Sequence, residues 1–165
     1  METKGRRPIS SASIASCSTI LLVEDEVVVR QITAQVLESA GYTVLEASSP
    51  REALHLAGTY EGDIHLLLSD VVMPEMNGVE LADRMRRVRP NLATIFMSGY
   101  ATSDILKKVM SGSAMHIQKP FTVSLLLSHV AYALQANMSA EDPRGAAAGN
   151  LQTTGSDSRP APTAG

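Results

Sequence analysis

IHLLLSDVVMPEMNGVELADRMRRVRPNLATIFM, residues 64–97, carries the reading on which the architecture turns. Its two ends, Ile64–Ser69 and Ala93–Met97, are near-continuous apolar runs. That is how parallel strands covered on both faces read, whereas a half-exposed antiparallel strand alternates. Between them residues 79–89 have helical periodicity and stop at Pro90. The same alternation recurs on either side. Further strands are expected at Thr19–Val23, Tyr42–Glu46 and Met115–Gln118. Helices are expected at 26–40, ended by Gly41, at 50–59, at 102–111, ended by Gly112, and at 122–136. Ser49, Pro50 and Glu52 form a capping box with proline at the first helical position. Five βα units result, and right-handed crossovers place every strand's carboxyl end on one edge of the sheet.

The expected fold class is α/β, a flavodoxin-like doubly wound five-stranded parallel sheet of order 2-1-3-4-5 with helices on both faces. The 165 residues and 44% hydrophobic content suit one domain with one core. Residues 18–137 are assigned to it. Residues 1–17, which mix small, polar and basic side chains, are expected to be flexible, as is the low-complexity tail 138–165, rich in Ala, Gly, Ser, Thr and Pro. Fourteen Lys and Arg against seventeen Asp and Glu leave a net charge of −3, which offers no general pull toward nucleic acid or an anionic membrane. The single cysteine, Cys17, excludes an internal disulfide, and no Cys/His zinc spacing occurs. The apolar runs are far shorter than the roughly 20 residues that span a bilayer. A cytoplasmic protein that neither binds nucleic acid nor inserts into a membrane is expected.

Ligands of such a sheet bind at the carboxyl ends of its strands. Past the first strand lie Glu24, Asp25 and Glu26; at the end of the third sits Asp70, past the fourth sits Ser98, and at the end of the fifth sits Lys119. Should Glu24, Asp25 and Asp70 converge within about 5 Å, each pair of charges costs roughly 3 kcal/mol at an effective dielectric near 20. Lys119 offsets one charge, and the excess suits a hard divalent cation with oxygen ligands, Mg²⁺ above all. Mg²⁺ shares its shell readily with phosphate oxygens. A carboxylate nucleophile, Asp70, together with a lysine and a hydroxyl to hold phosphoryl oxygens, is then a phosphoryl-transfer device that forms an aspartyl phosphate.

The chain resembles the receiver domain of two-component response regulators over about residues 18–137. The resemblance rests on Leu21-Leu22-Val23-Glu24-Asp25-Glu26, on Leu67 through Gly78 (LLSDVVMPEMNG), on Met97-Ser98-Gly99-Tyr100 and on Gln118-Lys119-Pro120-Phe121. It implies Asp70 as phosphoacceptor, with Mg²⁺ held by Glu24, Asp25, Asp70 and the Val72 carbonyl. It also implies phosphoryl contacts from Ser98 and Lys119, and a cis peptide before Pro120. The donor it implies is a histidine kinase or histidine phosphotransfer protein, and the output is a face made by the fourth predicted helix, the fifth strand and the fifth predicted helix. The domain would be no enzyme beyond assisting its own phosphorylation and dephosphorylation. At the position where the family often has an inward-turning Tyr or Phe stands His116, a switch residue that would titrate near pH 6.5. Apolar Val72 and Tyr100 flank the site and suggest a long-lived acyl phosphate.

Each motif alone has a plainer reading. Asp70 before Pro74 and Asn77-Gly78 could simply form a turn, and Glu26 suits the first turn of a helix. Arg84, Arg86, Arg87 and Arg89 read as helix-dipole compensation and solvation, and His65 as structural. The residues after 137 are too few and too polar for a DNA-binding output domain, so a downstream protein effector is expected. Two rival readings are a phosphorylation-independent pseudo-receiver scaffold and an aspartyl-phosphate phosphatase. Dehalogenase-like phosphatases carry Asp-x-Asp after their first strand, whereas Val71 and Val72 follow Asp70.

Overall fold

A computed structural model describes residues 18–99, 107 and 114–140. Its elements are β1 (Thr19–Val23), α1 (Val27–Ser39), β2 (Thr43–Ala47), α2 (Pro50–Thr59), β3 (Leu66–Asp70), α3 (Gly78–Val88), β4 (Ala93–Ser98), β5 (Met115–Gln118) and α4 (Val123–Ala140). All four strand pairs are parallel, in the order β2-β1-β3-β4-β5. This is the doubly wound sheet expected from sequence.

The continuous apolar runs resolve into two cores because successive side chains point to opposite faces. Ile20, Leu22, Leu66, Leu68, Ile95 and Met97 pack with Leu37 of α1 and Leu126, Val130 and Leu134 of α4. Leu21, Val23, Leu67 and Phe96 pack with Ala53 and Ala57 of α2 and Leu81, Ala82 and Met85 of α3. Each fully buried Leu, Ile or Phe contributes roughly 1.5–3 kcal/mol of transfer free energy. The central strands are buried almost throughout, while edge strands β2 and β5 are partly exposed.

β1, α2 and β5 lie at their expected positions, α1, α3 and β4 differ by one residue at one or both ends, and β2, β3 and α4 differ for reasons the structure shows. β2 starts one residue late because Gly41, at φ 95°, reverses the chain after α1 and lets buried Tyr42 donate its N–H to Leu37 O. β3 starts two residues late. Ahead of it, His65 accepts the Thr19 N–H at Nδ1, 3.0 Å, and donates its own N–H to Thr19 O, the structural role expected of it. α4 runs four residues beyond its expected end, from 136 to Ala140. Asn137 Nδ2 donates to Asn91 O at 2.6 Å and ties that last stretch to the body. The expected fourth helix, 102–111, lies outside the described residues except for Lys107, which is helical; the segments 1–17 and 141–165, with Cys17, lie outside them too, as does Tyr100.

Two local devices differ from their sequence reading. Ser49 Oγ caps α2 by accepting the Glu52 N–H, but Glu52 Oε2 accepts from Ser48 N and Oγ, both at 2.7 Å, so the reciprocal arm of the box closes one residue upstream. Among the arginines, Arg84 and Arg86 pair with Glu80 and Asp83 at the surface. Arg89 is different: its guanidinium donates to Ala57 O (3.2 Å), Tyr60 O (2.7 Å) and Gly62 O (2.9 Å). It thereby satisfies carbonyls at the carboxyl end of α2 that would otherwise lack donors.

Candidate functional site

The carboxyl edge of the sheet gathers the polar residues anticipated there. Glu24 follows β1 and is 1% exposed, which is costly for a carboxylate unless it is partnered. Its Oε2 accepts from Lys119 Nζ at 2.6 Å and its Oε1 from Glu26 N at 3.3 Å. Arg30 of α1 donates from Nη1 to Glu24 O at 2.7 Å and lies 3.5 Å from Glu46 Oε2, so the loop leaving β1 is pinned from behind. Asp70 ends β3 with its side chain 13% exposed. One oxygen, Oδ2, accepts from Lys119 Nζ at 2.7 Å, and the other, Oδ1, accepts from Val72 N at 3.0 Å.

Glu24, Asp25 and Asp70 each bring a carboxylate oxygen within 4.8 Å of the others. At that separation each pair of ionised groups repels by about 3 kcal/mol at an effective dielectric near 20. The electrostatic consequences are visible in the titration of the group. Burial pushes the Glu24 carboxyl above its ordinary value, and the hydrogen bond and charge of Lys119 offset this only partly. Burial also works against the Lys119 ammonium, yet its bonds to Asp70 and Glu24 outweigh that and hold its pKa above the ordinary lysine value. Asp25 is exposed and opens the cluster to solvent. Three hard oxygen donors with one lysine to balance them suit a small divalent cation such as Mg²⁺.

The backbone around Asp70 is equally constrained. A Cβ on Gly78 would stand 2.2 Å from Asp70 O, so only glycine permits α3 to start this close to the end of β3. Gly78 N donates to Val71 O, Ser69 Oγ donates to Asp70 O, and Asn77 Oδ1 caps α3 by accepting from Glu80 N. Val72 is 58% exposed beside Asp70. Lys119 precedes a cis peptide to Pro120, as expected, and donates its own N–H to Ser98 O at 2.8 Å. Ser98 is buried at the end of β4, where its Oγ lies 2.9 Å from Nε2 of His116. Burial lowers the pKa of that imidazole, favouring the neutral ring near neutrality.

Glu24, Asp25, Asp70 and Lys119 are therefore brought together, and Ser98 stands at the end of the adjoining strand. Glu26 is the N-cap residue of α1, ahead of the first turn expected for it, and its side chain makes no capping hydrogen bond. Sequence reading missed Arg30, the necessity of Gly78 and the Ser98–His116 bond. A glycine at the helix start within Asn77-Gly78 was the one visible signal among these.

The family model of the response regulator receiver domain matches residues 20–131. The chain belongs to that family. Among its relatives, the sensor kinase CckA of Brucella abortus is 36% identical over 128 residues, which are 77% of this chain and 14% of the kinase. The chain thus spans about a seventh of that relative's length. The crystal structure of the receiver domain from hybrid histidine kinase CckA matches with a TM-score of 0.62 and 36% identity, covering 72% of this chain and all of that one. A CheY-like receiver domain protein from Methanospirillum hungatei JF-1 matches with a TM-score of 0.70 and 28% identity, covering 76% of this chain and 99% of that one. As a receiver domain the chain is a signalling module of two-component systems; such domains bind Mg²⁺ at an acidic pocket, and in this chain Glu24, Asp25 and Asp70 form an acidic cluster. Among the described residues no helix is long and apolar enough to cross a membrane.

Proposed function

We propose that this receiver domain accepts a phosphoryl group on Asp70 from a phosphohistidine of a histidine kinase or phosphotransfer protein, and that the modification changes its affinity for a protein effector. The supporting observation is the convergence of Glu24, Asp25 and Asp70 within 4.8 Å with Lys119 Nζ bridging two of them. A carboxylate oxygen of Asp70 attacks phosphorus, the P–N bond to the donor imidazole breaks, and its electron pair returns to that ring, which takes up a proton. Glu24, Asp25, Asp70 and the Val72 carbonyl would hold Mg²⁺, whose charge neutralises the oxygens of the transferring group.

The chain's own groups perform the rest. The Val72 amide fixes one Asp70 oxygen and so orients the carboxylate. Lys119, already bonded to Asp70 Oδ2, moves its hydrogen bond to a phosphoryl oxygen as charge arrives there. Ser98 donates to another phosphoryl oxygen and draws the end of β4 with it. Moving a two-state element from 1:99 to 99:1 takes about 5.5 kcal/mol. Two or three charge-assisted hydrogen bonds of about 1.5–3 kcal/mol each supply that. His116, bonded to Ser98, belongs to the same switch. In this reading residues 18–137 form the receiver domain, and its chemistry is accepting and losing its own phosphoryl group.

The test is transfer from labelled, autophosphorylated histidine kinases to the full chain. One kinase should transfer rapidly to the wild type with Mg²⁺, and not after chelation or to Asp70→Asn. Transfer that survives in Asp70→Asn refutes the assignment, and absence of transfer from every donor, acetyl phosphate included, favours the scaffold reading.

A further inference from the structure

The Ser98 hydroxyl has a task in the proposed reaction but needs something to orient its proton. β4 and β5 run parallel with Phe96 opposite His116 and Ser98 opposite Gln118, which makes Ser98 and His116 diagonal neighbours on one sheet face. This register brings Nε2 to 2.9 Å from Oγ. A serine hydroxyl has one proton and two acceptor sites, and a neutral imidazole has one N–H and one bare nitrogen. The bond can therefore run in either direction, with opposite consequences. If bare Nε2 takes the serine proton, Ser98 has none left for an anion. If Nε2–H donates, it holds the serine oxygen from behind and leaves the hydroxyl proton free.

We infer that His116 is a positioning residue of the second kind, whose Nε2–H holds Ser98 Oγ so that the hydroxyl proton is presented to the phosphoryl group on Asp70. The inference rests on Asp70 as phosphoacceptor. It gives His116 a task that a phenylalanine could not perform, since a phenyl ring carries no N–H to donate to the hydroxyl. Three further observations support it. Ser98 is 2% exposed, so bulk solvent has little access to its hydroxyl, and His116 Nε2 lies within hydrogen-bond distance of it. Burial keeps the imidazole neutral, with a single proton to place. The main chains are also locked here, because Lys119 N donates to Ser98 O and fixes β5 against β4 at the residue bearing the hydroxyl. In this chain of donors each bond polarises the next, His116 N–H to Ser98 O–H to phosphoryl oxygen.

The test uses the full chain with Mg²⁺ and beryllofluoride, an inorganic mimic of the phosphoryl group, followed by nuclear magnetic resonance. His116→Phe should weaken binding of the mimic about fivefold, the worth of one net hydrogen bond. His116→Gln, whose amide can donate from a similar place, should recover most of that loss. In a Ser98→Ala background His116→Phe should change nothing further, which a purely structural role for the ring would not produce. The ¹⁵N signals of His116 should show Nε2 protonated in the bound form. Unchanged or tighter binding by His116→Phe, a loss that persists without the Ser98 hydroxyl, or a bare Nε2 in the bound form overturns the inference while leaving Asp70 in place. A folded wild type that binds the mimic no better than Asp70→Asn refutes the phosphoacceptor reading, and this inference with it.

Discussion

Lys119→Met keeps the aliphatic stem and removes the ammonium that bridges Glu24 and Asp70. What remains is a 1%-exposed carboxylate and a 13%-exposed one, with Asp25 beside them, all three within 4.8 Å. One unrelieved pair at that distance repels by about 3 kcal/mol at an effective dielectric near 20, and removing one partner of a buried ion pair costs a similar amount. Metal-free Lys119→Met should therefore lose about 3 kcal/mol of stability near neutral pH. The dependence on pH has a definite sign. Burial already raises the folded-state pKa of Glu24, and deleting Lys119 removes the two influences of that lysine that hold it down. A carboxyl with a raised folded pKa contributes stability below its ordinary value that is lost as pH rises through the folded value, so the gap between variant and wild type should narrow toward about pH 5 and widen toward about pH 8. Mg²⁺ should stabilise the variant more than the wild type, because it replaces the missing positive charge. Urea unfolding followed by circular dichroism, with chelator and with Mg²⁺, measures all three effects. A loss below about 1 kcal/mol near pH 8, or a gap that grows on acidification, would refute the electrostatic reasoning.

Gly78→Ala places a Cβ 2.2 Å from Asp70 O and should cost about 2–3 kcal/mol while slowing phosphoryl acceptance. Gly58→Ala is its control, because nothing lies within 4 Å of the added carbon and helix propensity should yield a gain of up to about 1 kcal/mol in the same unfolding assay. Arg89→Ala strips donors from the carbonyls of Ala57, Tyr60 and Gly62 and should destabilise by about 2–3 kcal/mol without lowering the extent of phosphorylation. Val72 is apolar and 58% exposed beside Asp70, so it orients no attacking water and the acyl phosphate should decay slowly. Val72→Asn should hasten that decay, and a wild-type half-life of seconds with Mg²⁺ contradicts the expectation.

The fold was legible because the third and fourth strands carry near-continuous apolar runs, which distinguishes a doubly covered parallel sheet from an alternating one. Edge strand β2 slipped by one residue because Tyr42 is apolar enough to read as strand yet packs under the turn that Gly41 makes. α4 outran its expected end because Met138, Ser139 and Ala140 carry no stop signal, and composition alone cannot show that Asn137 is tethered to Asn91. The placement of Glu24, Asp25, Asp70 and Lys119 was readable for a single reason: each lies at or just past the carboxyl end of a strand, and parallel strands end on one edge. The Ser98–His116 bond was not readable, since it depends on which residues of β4 and β5 lie diagonal to each other. Arg30 and Arg89 were missed for a related reason. Both act on backbone carbonyls brought near by tertiary packing, and a carbonyl leaves no mark in a sequence.

Intact mass of the chain after incubation with acetyl phosphate and Mg²⁺ reports whether the gathered carboxylates form a reactive phosphoacceptor. The wild type should gain one phosphoryl group that hydroxylamine removes and that chelation prevents, and Asp70→Asn should gain none. A wild type that stays unmodified under these conditions, or an adduct that persists in Asp70→Asn, contradicts the account.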